Sequence, residues 1–138
     1  MQSHAAPATT TLYRTMVPDE DGRPRVGVKG SMLGVRPGVD IKPDAAGEVA
    51  PEQGGMSVTP NDPTLLPRHL RPEALGGHGR LPVFAIDAGL LAPGDLVFRP
   101  DPNSPKKHGF VEPAVRMSLS HYQTALAATR PCWKEYSP

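Results

Sequence analysis

Apolar residues in this chain come in short bursts separated by glycine, proline and charge. Residues 11–17 (TLYRTMV) combine β-branched and aromatic side chains and stop at Pro18, which predicts a first strand. Residues 81–86 (LPVFAI), 96–99 (LVFR) and 109–112 (GFVE) predict three more, and 56–59 (MSVT) a further short one after Gly54-Gly55. Turn chemistry separates them: Asp21-Gly22 within 19–25, Ala92-Pro93-Gly94-Asp95, and the DPNSPKK run at 101–107. The helical period is clearest at 118–129. Tyr122, Ala125, Leu126 and Thr129 share a face there, and Pro131 lies beyond the end. Two N-termini fit that helix: Ser118 as N-cap, with Met117 stapled onto Tyr122, or a capping box from Ser120 and Gln123. A short helix is also expected near 71–75.

Between these elements the pattern breaks down. Residues 26–53 read as one long irregular loop, which in a compact domain is usually functional or mobile. Residues 1–10 are small and polar and are expected to fray. The large apolar and aromatic residues gather after Leu65, so the core is expected mostly from the second half. Short strands, one good helix and stiff loops point to α+β or mainly β, in a single domain over residues 1–138.

Composition narrows the reading. The 18 prolines and 14 glycines together approach a quarter of the 138 residues, near the range where disorder competes with folding. The prolines bracket apolar runs and do not form tracts, which favours a folded domain. A chain that folds only on binding is the competing expectation. The net charge is +1 and no basic run exceeds Lys106-Lys107, so a nucleic-acid partner is not expected. No apolar run is long enough to span a bilayer, and the N-terminus lacks the basic-then-apolar order of a cleavable signal. The expectation is a cytoplasmic protein, delivered to a target cell, if at all, by a secretion route that needs no such signal.

Familiar chemical motifs are mostly missing. Cys132 stands alone, and no two of the five histidines are three or four apart, so no metal site is expected. There is no G-x-S-x-G elbow. Gly27-Val28-Lys29-Gly30-Ser31 has the flavour of a phosphate loop with the wrong spacing, and Gly76-Gly77-His78-Gly79-Arg80 reads as a backbone concavity for an anion or as a plain turn. A dispersed set is more informative. Tyr13-Arg14 places a planar guanidinium fork, suited to a pyrophosphate, on the first strand. Gly55 and Ser57 place a hydroxyl where backbone approaches closely. His108 opens the 109–112 strand and Glu112 closes it. Each residue also has an ordinary reading: an amphipathic strand, a satisfied turn, a strand-end hydrogen bond, an exposed charge.

Three ordered segments give the set a common interpretation. Thr11-Leu12-Tyr13-Arg14, Gly54-Gly55-Met56-Ser57-Val58 and the His108 to Ala114 run (HGFVEPA), followed by a helix, resemble the type VI secretion exported effector two toxins. That family is similar in fold to ADP-ribosyltransferase toxins. The resemblance implies a compact α+β domain with a split β-sheet core, few helices and long Pro/Gly-rich loops. It implies NAD as substrate in a cleft between two small sheets, with Tyr13, Arg14, Gly55 and Ser57 binding the dinucleotide and His108, Glu112 and Ser57 serving the chemistry. It implies action in the cytoplasm and a cognate immunity protein or antitoxin as partner. No E-x-E or Q-x-E pair accompanies Glu112, and a non-enzymatic protein-binding module of the same fold, using the loop at 60–72, is the alternative.

Overall fold

The computed structural model describes residues 10–138. Six strands form one antiparallel sheet: β1 (Thr11–Thr15), β3 (Met56–Pro60), β4 (Val83–Asp87), β5 (Leu96–Pro100), β6 (Gly109–Pro113) and β8 (Lys134–Glu135). Their order is β5-β6-β3-β1-β4-β8, and β2 (Glu48–Val49) pairs with β7 (Met117–Ser118) in a separate ribbon. This is the expected α+β fold with a split sheet, and β3 is where it splits. Its first half pairs with β6, Met56, Ser57 and Val58 facing Val111, Phe110 and Gly109. Its last residues pair with β1, Thr59 with Tyr13 and Pro60 with Leu12. By contrast β1 and β4 stay in register over five pairs. Beyond Tyr13–Thr59, β1 and β3 part.

The helix α1 runs over Leu119–Ala128. Of the two caps the sequence allows, Ser118 is the one used: its Oγ accepts the His121 N–H at 3.0 Å. The buried face of α1 is Tyr122, Ala125 and Leu126. It packs against the sheet face that carries Leu12, Met56, Val58, Phe84, Ile86 and Val111. The Tyr122 hydroxyl ties helix to sheet, donating to the Val111 carbonyl and accepting the Met56 N–H. Strand alternation turns Tyr13, Thr15, Ser57 and Thr59 to the opposite face. There Tyr13, Leu66 and Val83 form a second, smaller cluster.

Three expectations are corrected. The core does not wait for the second half, because Leu12, Met16, Leu33, Val35, Ile41 and Val49 are all buried in it. The 26–53 stretch is irregular without being a loose loop. Isolated bridges Val26–Leu33, Pro37–Ile41 and Ile41–Gly54 hold it, and it carries β2. The expected 71–75 helix is a single 3₁₀ turn, Glu73–Leu75, ended by Gly76 in the left-handed conformation. Thr10 is pinned, its carbonyl accepting the Ala88 N–H at 2.8 Å, while the rest of the expected fraying segment lies outside the described residues.

Candidate functional site

A cleft of about 230 Å³ lies at the gap between β1 and β3, lined from both strands. Tyr13, Arg14, Ser57 and His108 all line it, so four of the six residues singled out by sequence converge here from three separate segments. Leu66, Pro67 and Leu70 form an apolar wall, and Gly30, Arg36 and Asp40 form a polar one.

Arg14 occupies the split itself. Its Nη1 donates to the Ser57 carbonyl at 2.8 Å, bridging strands that no longer pair directly. Its Nη2 donates to the carbonyls of Gly30 and Met32, both at 2.9 Å, which fastens the irregular stretch to β1. Its Nε is buried with no hydrogen-bond partner. The side chain is 7% exposed, and burial lowers its pKa to about 10 against the opposing pull of Asp40. It therefore remains a cation at neutral pH, set into the cleft floor. The fork read from sequence as a pyrophosphate clamp spends three of its N–H groups on backbone carbonyls.

His108 sits at the mouth of the β5–β6 hairpin. Its Nδ1 lies 2.8 Å from Asp101 Oδ2, and its ring meets Phe110 edge-on with centroids 4.8 Å apart. The His108 hydrogen bond holds the Asp101 carboxyl below the usual carboxylate range. An ionised Asp101 accepts from Nδ1–H, which makes Nε2 the unprotonated nitrogen of the neutral ring. Thr59 Oγ1 donates to the Lys107 carbonyl at 2.9 Å and anchors this loop to β3. Gly109 is required next to His108 because a Cβ there would stand 2.3 Å from the Phe98 ring.

Gly55 and Glu112 do not line the cleft. The close approach at the Gly54-Gly55 pair is to protein: a Cβ on Gly54 would meet the Asp40 carbonyl at 2.3 Å, and one on Gly55 the Val111 carbonyl at 2.6 Å. Both glycines hold positive φ, 105° and 154°. Glu112 is 2% exposed at the far end of β6. Its Oε2 accepts from Arg99 Nε at 2.9 Å and from the Glu52 N–H at 3.1 Å. The exposed charge that the ordinary reading suggested is in fact a buried carboxylate paired with a half-buried arginine.

Sequence reasoning missed Arg36 and Asp40. Arg36 Nη2 and Nε donate to Asp40 at 2.9 and 3.2 Å, and the Arg36 N–H reaches Asp40 Oδ2 at 2.7 Å. Burial pushes the Asp40 carboxyl up, but these bonds and the charges of Arg36 and Arg14 outweigh it and hold the pKa low. The available signal was an Arg and an Asp four residues apart around Pro37-Gly38. The Gly76–Arg80 run is a turn and not an anion nest. The N–H groups of Gly76, Gly77, His78 and Gly79 all donate to backbone carbonyls of residues 68–73.

A split antiparallel sheet with a charged cleft across the split describes an ADP-ribosyltransferase-like domain. A model of the Tse2 ADP-ribosyltransferase toxin family matches residues 10–133, and the chain belongs to that family. Enzymes of this class take NAD as substrate. No curated protein and no solved structure matches the chain. No helix among the described residues is long and apolar enough to cross a membrane.

Proposed function

We propose that the cleft binds NAD and that the protein transfers its ADP-ribose to a target in the cytoplasm of an intoxicated cell. The observation that carries this reading is the convergence of Tyr13, Arg14, Ser57 and His108 on one cleft. A volume of about 230 Å³ is below the roughly 300–1,000 Å³ of pockets that engulf a whole drug-sized ligand. It suits the nicotinamide–ribose end, with the remainder lying across the rim. The apolar wall of Leu66, Pro67 and Leu70 with Tyr13 offers a face for the planar nicotinamide. Ser57 offers a hydroxyl to the ribose or the carboxamide, and Arg14 offers its charge and the second Nη1–H to the anionic part.

In the reaction the bond between ribose C1′ and the pyridinium nitrogen breaks. Its electron pair goes to that nitrogen, so nicotinamide leaves neutral and the ribosyl group becomes cation-like. The acceptor then bonds to C1′ and loses a proton, for which His108 Nε2, oriented through Asp101, is the base. The family's toxin character supports a cognate immunity protein that blocks this activity in the producing cell, with delivery through a type VI secretion system.

Expression in bacteria without a partner, comparing wild type with Arg14→Ala, Ser57→Ala and His108→Ala, tests the reading. Wild type should arrest growth and each folded variant should be attenuated. A harmless wild type, or three folded variants as toxic as wild type, would sink it. A non-enzymatic binding module is the second reading, favoured by the pairing of the cleft's Asp40 with Arg36 and of Glu112, outside the cleft, with Arg99. Calorimetric titration with NAD separates the two: no heat of binding, together with tight binding of a protein partner, selects the module.

A further inference from the structure

A carboxylate beside a developing ribosyl cation would stabilise it, and the cleft floor carries the opposite charge. Arg14 is buried there, protonated and fixed by three carbonyls. Alone, it would oppose any positive charge developing on the sugar. Glu112 lies elsewhere, under the turn at Glu52 and locked to Arg99. Among the described residues lining the cleft, Asp40 is the one that bears a carboxylate.

We propose that Asp40 is the catalytic carboxylate, masked by Arg36 in the free protein and released when Arg36 turns to the pyrophosphate of the bound dinucleotide. The inference rests on the NAD reading of the cleft. The geometry supports each half of the exchange. Asp40 is held rigidly: its carbonyl accepts the Gly55 N–H at 2.9 Å, and its side chain is only 10% exposed. Arg36 is the exposed partner. Its side chain is 48% exposed and lies at the cleft rim beside Gly30. The guanidinium end of the pair is the solvent-facing one, so a dianionic pyrophosphate can compete with Asp40 for a fork that fits either anion in two-point fashion. Once Arg36 has turned, the Asp40 carboxylate faces the sugar with its charge uncompensated except by Arg14. The C1′–N bond then breaks with its pair leaving on nicotinamide, and Asp40 neutralises the ribosyl cation without bonding to it. It also offsets Arg14 at the step where Arg14 would otherwise be harmful.

The test uses the full chain, purified, with NAD binding followed by calorimetry, nicotinamide release by chromatography and folding by thermal melt. Wild type should bind NAD and release nicotinamide. Asp40→Asn keeps the shape and an acceptor for the Arg36 N–H, so it should hold NAD affinity within about threefold while nicotinamide release falls on the order of 10²–10³-fold. Arg36→Gln should instead weaken NAD affinity by about tenfold or more, leaving Asp40 unmasked. Nicotinamide release by Asp40→Asn at the wild-type rate overturns the role of Asp40 and leaves the NAD reading standing. Equal losses of affinity and turnover with a matching fall in Tm overturn it too, since a purely structural Asp40 behaves that way. A folded wild type that neither binds nor cleaves NAD overturns the NAD reading, and this inference with it.

Discussion

Two sides of the cleft are built in opposite ways. One is regular: β3 and β6 pair residue by residue and present Ser57 on a strand with its neighbours in register. The other is the 26–53 stretch, where turns and single bridges hold Gly30, Arg36 and Asp40 in place. The regular wall is positioned by a repeating ladder. The irregular wall is positioned by individual contacts: Ile41 in the core, the Gly54-Gly55 pair pressed against Asp40, and the Arg14 fork on Gly30 and Met32. A wall made of single contacts depends heavily on each of them. It is also the wall that contains the exchangeable pair.

The largest effect should come from the core anchor of the irregular wall. Ile41 is 2% exposed, and Ile41→Ala should cost about 2–5 kcal/mol in urea unfolding. A loss near zero would mean that 26–53 is a loose loop after all and that the comparison fails. Next comes the joint between the walls. Gly54→Ala would place a methyl 2.3 Å from the Asp40 carbonyl at a φ of 105°. It should cost about 1–3 kcal/mol and weaken NAD binding as well. Gly47→Ala is the control, because Gly47 also has positive φ but nothing within 4 Å of the added carbon. It should be milder and leave NAD binding alone.

On the regular wall, Tyr122→Phe removes the hydroxyl that bridges Val111 and Met56 and leaves the Met56 N–H buried without its partner. We expect a loss of about 1–3 kcal/mol, with NAD affinity little changed, because this bond lies on the helix side of the sheet. The smallest effect should be acid sensitivity at Asp40. Its folded pKa lies below the ordinary 3.8, so its stabilising contribution is complete above that value and is lost as pH falls through the lower folded value. The Tm difference between wild type and Asp40→Asn should therefore be constant at neutral pH and shrink only below about pH 4. A difference that instead changed between pH 6 and 8 would not come from Asp40.

The regular half of the molecule was legible because strands and helices announce themselves locally. The TLYRT strand, the GFVE strand and the Ser118-capped helix follow from alternation, period and caps. The long pairing partners were not, and neither was β8, whose two residues earn strand status only by lying beside β4. Trp133, one of the aromatic residues that gather in the second half, lies in the core at 1% exposure with its indole N–H donating to Thr129 Oγ1.

The site divides along the same line. Tyr13, Arg14, Ser57 and His108 were identifiable from ordered segments, because each sits on or beside a strand whose position the local pattern already marks. Arg36 and Asp40 looked like an ordinary charged turn. Glu112, the carboxylate nearest to the late segment, proved to be spent on Arg99.

By itself, the sequence determined the five longer strands, the capped helix and the three segments that carry the resemblance. Their local periodicities and turn residues act over a few neighbours and need no distant partner. Only the tertiary structure decided where β1 and β3 part, that Arg14 fills the gap, and which carboxylate faces the cleft. Those outcomes depend on backbone carbonyls and ion partners tens of residues away, and no local pattern records them.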